Sequence, residues 1–283
     1  MRAETAAMTI DPAAVPLSLS YYTVPELAPP DVVTVAAETG CRHVGIRLLG
    51  GQPGRDLLPI MTDAALRRDT QRRLADTGLT VLDANTARLT PETDVALFGP
   101  FLDIAAELGA RHVMASGDDP DEARLTDKFA QLAAAAARLG LTVDVEFVSW
   151  FSVASLTDAA RVVRAVGAAN LGIAVDALHF DRSASRCEDL ARLPRDWFRY
   201  AQICDAPAGG GRDRDALIHT AVKERLFPGT GDIDLIGILR ALPPGIPLAL
   251  EIPTEGLARS VGARERVSRI VVATRRLLAT AFT

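Results

Sequence analysis

Four polar side chains close otherwise apolar segments: Glu146 in LTVDVEF, Asp176 in LGIAVDALHF, Gln202 in FRYAQICDAP and Glu251 in IPLALEIP. A carboxylate ending a buried strand is costly unless a cation or a hydrogen-bond donor meets it. Three carboxylates and an amide converging on one point form an all-oxygen cup suited to a hard divalent cation. A cation so placed stabilises the oxyanion left when a carbon beside a carbonyl loses its proton. Glutamates nearby can move that proton as base and acid. The bland alternative is structural: Glu146 paired with Arg47, an inward-phased residue of HVGIRLL.

Bringing these four residues together requires a repeated scaffold, and one joint recurs along the chain. An amphipathic stretch ends in a glycine, and a short apolar run follows, at Gly40, Gly78, Gly109, Gly140 and Gly167. A glycine there suits the left-handed residue that ends a helix. The glycines are 27 to 38 residues apart, the length of one helix, one strand and two loops. Helical periodicity supports this. Leu125, Phe129, Leu132, Ala136 and Leu139 share one face after Pro120, and Leu97, Phe101, Ile104, Ala105 and Leu108 share another.

Eight strands are expected, near residues 17–22, 43–48, 79–85, 111–116, 141–148, 171–177, 199–204 and 246–252. Eight such units predict a single (β/α)8 TIM barrel over residues 17–283, preceded by a mobile leader over 1–16, with Met8 as an alternative start. An open doubly wound sheet is the competing fold, but the glycine fingerprint that cradles phosphate after a first strand is missing. Strand parity sharpens the placement. Val143, Val145 and Phe147 alternate with Thr142, Asp144 and Glu146, and Ile173 and Val175 with Gly172, Ala174 and Asp176. Bulky residues suit the layer under the helices; the small and polar set faces the barrel interior. Glu146, Asp176 and Glu251 then point inward at the strand ends where barrel enzymes build their sites.

Composition narrows the function classes. The net charge of −5 over 283 residues, with no basic run on an apolar background, argues against nucleic acid as a partner. No stretch has the length to span a bilayer, and the three cysteines have neither even number nor metal-ligand spacing. Cytoplasmic placement with reduced thiols is the expectation. The RRDTQRR run reads as a solvated helix face, and His43 and His112 open their strands at the quieter end of the barrel. A homodimer is left open.

Read in order, VDVEF, VDALHF, QICDAP, ERLFPGTGDIDL and LALEIP resemble the xylose-isomerase-like TIM-barrel superfamily, in its sugar phosphate isomerase/epimerase branch. These motifs cover roughly residues 140–255, and the repeat extends the match over nearly the whole chain. The resemblance implies one divalent ion, Mn²⁺ first with Mg²⁺ or Co²⁺ as alternatives, held by Glu146, Asp176 and Glu251. At strand seven the chain departs from the pattern: Gln202 stands where relatives carry histidine, which disfavours Zn²⁺ and weakens or abolishes metal retention. The resemblance further implies Glu146 and Glu251 as the proton-transferring pair. It places His179, three residues after Asp176, beside metal or substrate, and Arg225 on a substrate oxygen. Asp205 orients Gln202 or Arg225, or caps the turn before Pro207.

Arg47, Trp150, Tyr22, Asn85 and Ser116 are pocket residues by position, and Phe180 is a second candidate wall. Residues 208–220, with GGGRDRD, read as a long loop or lid. The expected activity is isomerisation or epimerisation of a small polyol or keto-sugar through an enediolate. Two competitors stand beside it: a dehydratase of a keto-polyol or dehydroshikimate-like ring, with His179 as acid, and a metal-free barrel with a binding role. A DNA-repair endonuclease of the superfamily needs more histidines than the four present.

Overall fold

The structure, a computed structural model, describes residues 11–51, 56–183, 185–209, 211 and 213–282. Eight parallel strands close on themselves in chain order: β1 (Leu17–Leu19), β2 (His43–Arg47), β3 (Thr80–Leu89), β4 (His112–Gly117), β5 (Thr142–Glu146), β6 (Leu171–Asp176), β7 (Ala201–Ile203) and β8 (Leu248–Leu250). The chain is a single (β/α)8 TIM barrel. All eight expected strands are present; β3 alone runs well past its expected end, from 85 to Leu89.

The recurring glycines behave as their spacing requires. Gly40, Gly78, Gly109, Gly140 and Gly167 have φ between 63° and 83°, and Gly78 and Gly167 are C-caps of the helices Ala64–Thr77 and Leu156–Val166. The helix expected after Pro120 spans Glu122–Ala137, with the Asp121 carboxylate accepting Arg124 N–H as its N-cap. Two apolar assignments fail. Leu97 and Leu139 are 41% and 39% exposed, because Leu97 lies in a 3₁₀ turn and Leu139 beyond the helix end, where the helical period no longer applies.

Two apolar layers result. Val143, Val145, Phe147, Ile173 and Val175 are fully buried between sheet and helices, each stabilising the fold by about 1.5–3 kcal/mol. Inside the barrel Leu82, Ala174, Tyr200 and Ala249 form a separate cluster. The Tyr200 ring reaches across the interior to stack on His112 at 5.2 Å. Below it, His112 Nδ1 lies 2.7 Å from Thr142 Oγ1 and Arg199 donates to Asp144 at 2.9 Å, so this end is a closed structural floor. His43 is held likewise against Thr80 at 2.7 Å.

Of the expected leader, Met8 and the rest of 1–10 lie outside the described residues. In the described part, Val15 is buried and Arg275 donates to the carbonyl oxygens of Pro12 and Val15. The expected loop at 208–220 instead contains the helix Arg214–Lys223, which carries His219; Gly210 and Arg212 lie outside the described residues. No helix among the described residues is long and apolar enough to cross a membrane.

Candidate active site

Strand register delivers the cup. Glu146 and Asp176 are the last residues of β5 and β6, Gln202 sits within β7 opposite Asp176, and Glu251 follows β8. One carboxylate oxygen from each of Glu146, Asp176 and Glu251 lies within 4.8 Å of the others. The three differ in how firmly they are held. Asp176 Oδ1 caps the short helix Ala177–Arg182, accepting from Leu178 N at 2.8 Å and His179 N at 3.1 Å, while Oδ2 accepts from Arg225 Nη1 at 2.6 Å. A carboxylate offers about four lone-pair positions, so one remains on Asp176. Glu251 is held more loosely, by Ser20 Oγ and Arg225 Nη2, both at 3.3 Å. Among the described residues, Glu146 has neither a hydrogen-bond donor nor an ion-pair partner.

Protonation follows from this gradation. Burial, reinforced by the charges of Glu251 and Asp176, pushes the Glu146 carboxyl well above the usual carboxylate range. Burial raises Glu251 to about 7, against the pull of Arg225. For Asp176 burial also pushes upward, but Arg225 and the neighbouring His179 outweigh it and hold the carboxyl low. Burial lowers His179 to about 4, leaving a neutral imidazole whose Nδ1 lies 3.4 Å from Ser149 Oγ and whose ring meets the edge of Trp150 at 5.0 Å. Three acids share the site with one guanidinium, and two of them resist ionisation. Further positive charge is what the cup lacks.

A divalent cation fits the donor set. Gln202 is buried, and both its amide oxygen and its amide nitrogen lack a hydrogen-bond partner. An orphaned amide of this kind needs an explanation in a native core. A cation ligated by the amide oxygen would account for that atom, and oxygen-only coordination favours a hard ion.

Above the cup opens a cavity of about 230 Å³, whose lining includes Tyr22, Arg47, Glu146, Trp150, His179, Arg225 and Glu251. The four positions assigned to substrate (His179, Arg225, Arg47 and Trp150) thus lie on one cavity, with Ser116. Arg47 does not pair with Glu146: its Nε donates to Leu49 O at 2.8 Å and its Nη1 to Tyr22 OH. Arg225 lines the cavity, but its guanidinium is committed to Asp176 and Glu251. Asn85 is buried and donates to Asp83 at 3.0 Å, and Phe180 faces a different hollow beside Cys187. Asp205 touches neither Gln202 nor Arg225. Its carboxylate gathers the N–H groups of Ala206, Gly229, Gly231 and Ile233, knotting the PGTGD loop. Gly231 is obligatory there, since a Cβ would stand 2.4 Å from Asp205 Oδ1.

Several neighbours went unread. Arg88 and Phe151 also line the cavity, Arg88 stacked over the Phe151 ring at 4.3 Å and paired with Asp118. Arg88 escaped notice because β3 was expected to stop at 85; the alternation Ala87, Leu89 was the available signal. Asp83, buried inside the barrel near Glu251 and Asp144, is raised to about 8, chiefly by burial. Its inward phase matched that of Gly45, its β2 partner.

Comparison with known proteins bears on this site. The family model for the xylose isomerase-like TIM barrel matches residues 33–271. A 3-dehydroshikimate dehydratase of Pseudomonas aeruginosa is 30% identical over 210 residues, covering 67% of this chain. The chain spans about a third of that protein's length, 32%. Among solved structures, the IOLI protein with a bound zinc atom superposes with a TM-score of 0.75 at 18% identity, covering 94% of this chain and 98% of that one. A D-allulose 3-epimerase from Methylomonas sp., in complex with D-allulose, gives 0.68 at 16% identity, covering 94% and 96%. At these identities the structures share the fold.

Proposed function

The chain belongs to the xylose isomerase-like TIM-barrel family, and from that premise we propose that it is a divalent-metal-dependent dehydratase of a small cyclic or open-chain hydroxy-ketone. One observation carries the reading: the two cavity glutamates are unequal. Among the described residues Glu146 has no hydrogen-bond or ion-pair partner, whereas Glu251 is tied to Arg225 and Ser20. Exchange of a proton between two faces of a substrate wants two matched carboxylates; an elimination wants one mobile base and a different group at the departing oxygen. The dehydratase among the relatives supports the same choice.

Glu146, Asp176, Gln202 and Glu251 would hold the cation, Mn²⁺ by donor type. When bound, it polarises the substrate carbonyl and keeps the glutamates ionised. The Glu146 carboxylate takes the proton from the carbon beside the carbonyl. The electron pair left behind forms the new C=C bond as the β-carbon–oxygen bond breaks, and the departing hydroxide takes up the proton that Glu146 has removed and leaves as water. The neutral His179 imidazole, on the cavity wall, hydrogen-bonds the departing oxygen. Arg225 holds Asp176 and Glu251 in place, and Trp150 and Phe151 keep water from the reacting carbon. The three cysteines are unpaired, which suits action in the cytoplasm.

A second reading keeps the first half of this sequence and returns the proton instead. Glu251 on the same cavity favours it, because a second carboxyl group there can return the proton that Glu146 takes. Incubation in D₂O with Mn²⁺ and a panel of ketoses, inososes and dehydroshikimate separates the two. Dehydration yields a conjugated product with new ultraviolet absorbance; epimerisation yields a deuterated stereoisomer without it. Neither new absorbance nor deuterium uptake with any compound, in protein that binds Mn²⁺, removes both.

A further inference from the structure

Arg47 stands out among the cations on the cavity. Arg88 is paired with Asp118 and Arg225 with Asp176 and Glu251. Arg47 lines the same space with no carboxylate within 4 Å among the described residues. Its Nε is used by Leu49 O, its Nη1 by Tyr22 OH, and its guanidinium lies over the Tyr22 ring at 4.6 Å. Those three contacts immobilise the fork and leave Nη2 without an acceptor among the described residues. The Tyr22 hydroxyl accepts from Arg47, so its own hydrogen is available to a ligand.

Charge completes the picture. With a divalent ion in the cup, the three carboxylates are balanced by that ion and Arg225. The Arg47 charge is then the surplus on the cavity wall. A half-buried guanidinium on a water-poor wall is stabilised by an anion that enters with the substrate. Resting on the enolisation chemistry proposed above, we infer that the substrate is a monoanion, a hydroxy-ketone bearing a carboxylate, which Arg47 and Tyr22 OH anchor at the β1–β2 side while its carbonyl faces the cup.

The donors favour carboxylate over phosphate. A phosphate group wants several backbone N–H groups converging on it. The glycines on this wall cannot supply them: Gly50 N donates to Asp56 O at 2.7 Å and Gly51 N to Asp56 Oδ2 at 2.9 Å. One free guanidinium edge and one hydroxyl match the two oxygens of a carboxylate. The cavity, about 230 Å³, lies below the roughly 300–1,000 Å³ of sites for drug-sized ligands, so a single small ring or short chain fills it.

The test compares the Mn²⁺-loaded wild type on dehydroshikimate, its methyl ester and a phosphorylated keto-polyol, by kcat/KM and by calorimetric binding of a non-reacting cyclohexene carboxylate. The expected result is a preference of about 10- to 100-fold for the free acid over the ester, carried by KM, as loss of a charged hydrogen bond implies. Arg47→Gln should abolish that preference and the binding of the carboxylate probe, and Arg47→Lys should restore part of both. Equal handling of acid and ester by the wild type overturns the inference without any variant, as does tighter use of the phosphorylated compound. If no compound turns over, the dehydratase reading fails by itself. Carboxylate binding lost in Arg47→Gln would still uphold the anchor, and binding unchanged would sink it.

Discussion

Replacing Gln202 by leucine should move two properties of the protein in opposite directions. Both amide atoms of Gln202 are buried and unpartnered without metal, and an unsatisfied buried polar group costs about 1–3 kcal/mol. Leucine has similar bulk and no polar atom, so Gln202→Leu should stabilise the metal-free protein by roughly 1–3 kcal/mol. At about 2–4 °C per kcal/mol for a domain of this class, Tm rises by roughly 2–12 °C. The metal-bound state loses one of four ligands. If Mn²⁺ at about 100 times Kd stabilises the wild type by about 2.7 kcal/mol, tenfold weaker binding leaves about 1.4 kcal/mol at the same concentration. Scanning calorimetry after chelation, with and without Mn²⁺, reads both quantities. A lower metal-free Tm together with an undiminished Mn²⁺ shift would refute the reasoning and make Gln202 an ordinary core amide. Gln202→His, which installs a softer nitrogen donor, should shift metal preference towards Zn²⁺ in competitive loading.

Glu146→Gln should lower kcat by about 10²–10⁴-fold in the D₂O assay while urea denaturation shows an intact fold, since the residue makes no structural hydrogen bond. Arg225→Leu leaves Asp176 and Glu251 as unpaired buried acids, so urea titration of the metal-free protein should show a loss of about 3–5 kcal/mol. Asp83 gives a pH signature. Its folded pKa, about 8, exceeds the unfolded value, so the native state binds more protons between about pH 4 and 8. Its contribution is fully present below that window and is lost as pH rises through it, by at most about 1.4 kcal/mol per unit. Asp83→Asn should flatten that part of the pH–stability curve of the metal-free protein; an unchanged slope would show that Asp83 is ionised throughout.

The scaffold was legible because each repeat writes its own boundaries. A left-handed glycine such as Gly167 ends a helix, and alternation such as Val143, Val145, Phe147 assigns one strand face to the helices. Glu146, Asp176 and Glu251 could be brought together from parity alone, since parity and strand order determine which side chains enter a closed barrel. The resemblance puts Arg225 on a substrate oxygen, whereas its guanidinium pairs with Asp176 and Glu251. It arrives on a loop whose path is set by the Asp205 carboxylate and the bridge from Asp205 to Leu226. Such contacts leave no periodic trace. The helix Arg214–Lys223 was hidden for a related reason: it buries little beyond Ala221, so its apolar pattern is weak.

The Asp205 knot has a consequence for how this barrel can change. Arg225 is secured from both sides, its N–H on Pro253 O at 2.9 Å and its neighbour Leu226 bonded in both directions to Asp205. The arc from Ala208 to Lys223 therefore hangs between two anchored points. Within it Ala221 O accepts from Arg225 Nε at 2.8 Å, so change is tolerated where it leaves that carbonyl in place. New substrates could be accommodated through that arc while the older proton chemistry is inherited unaltered.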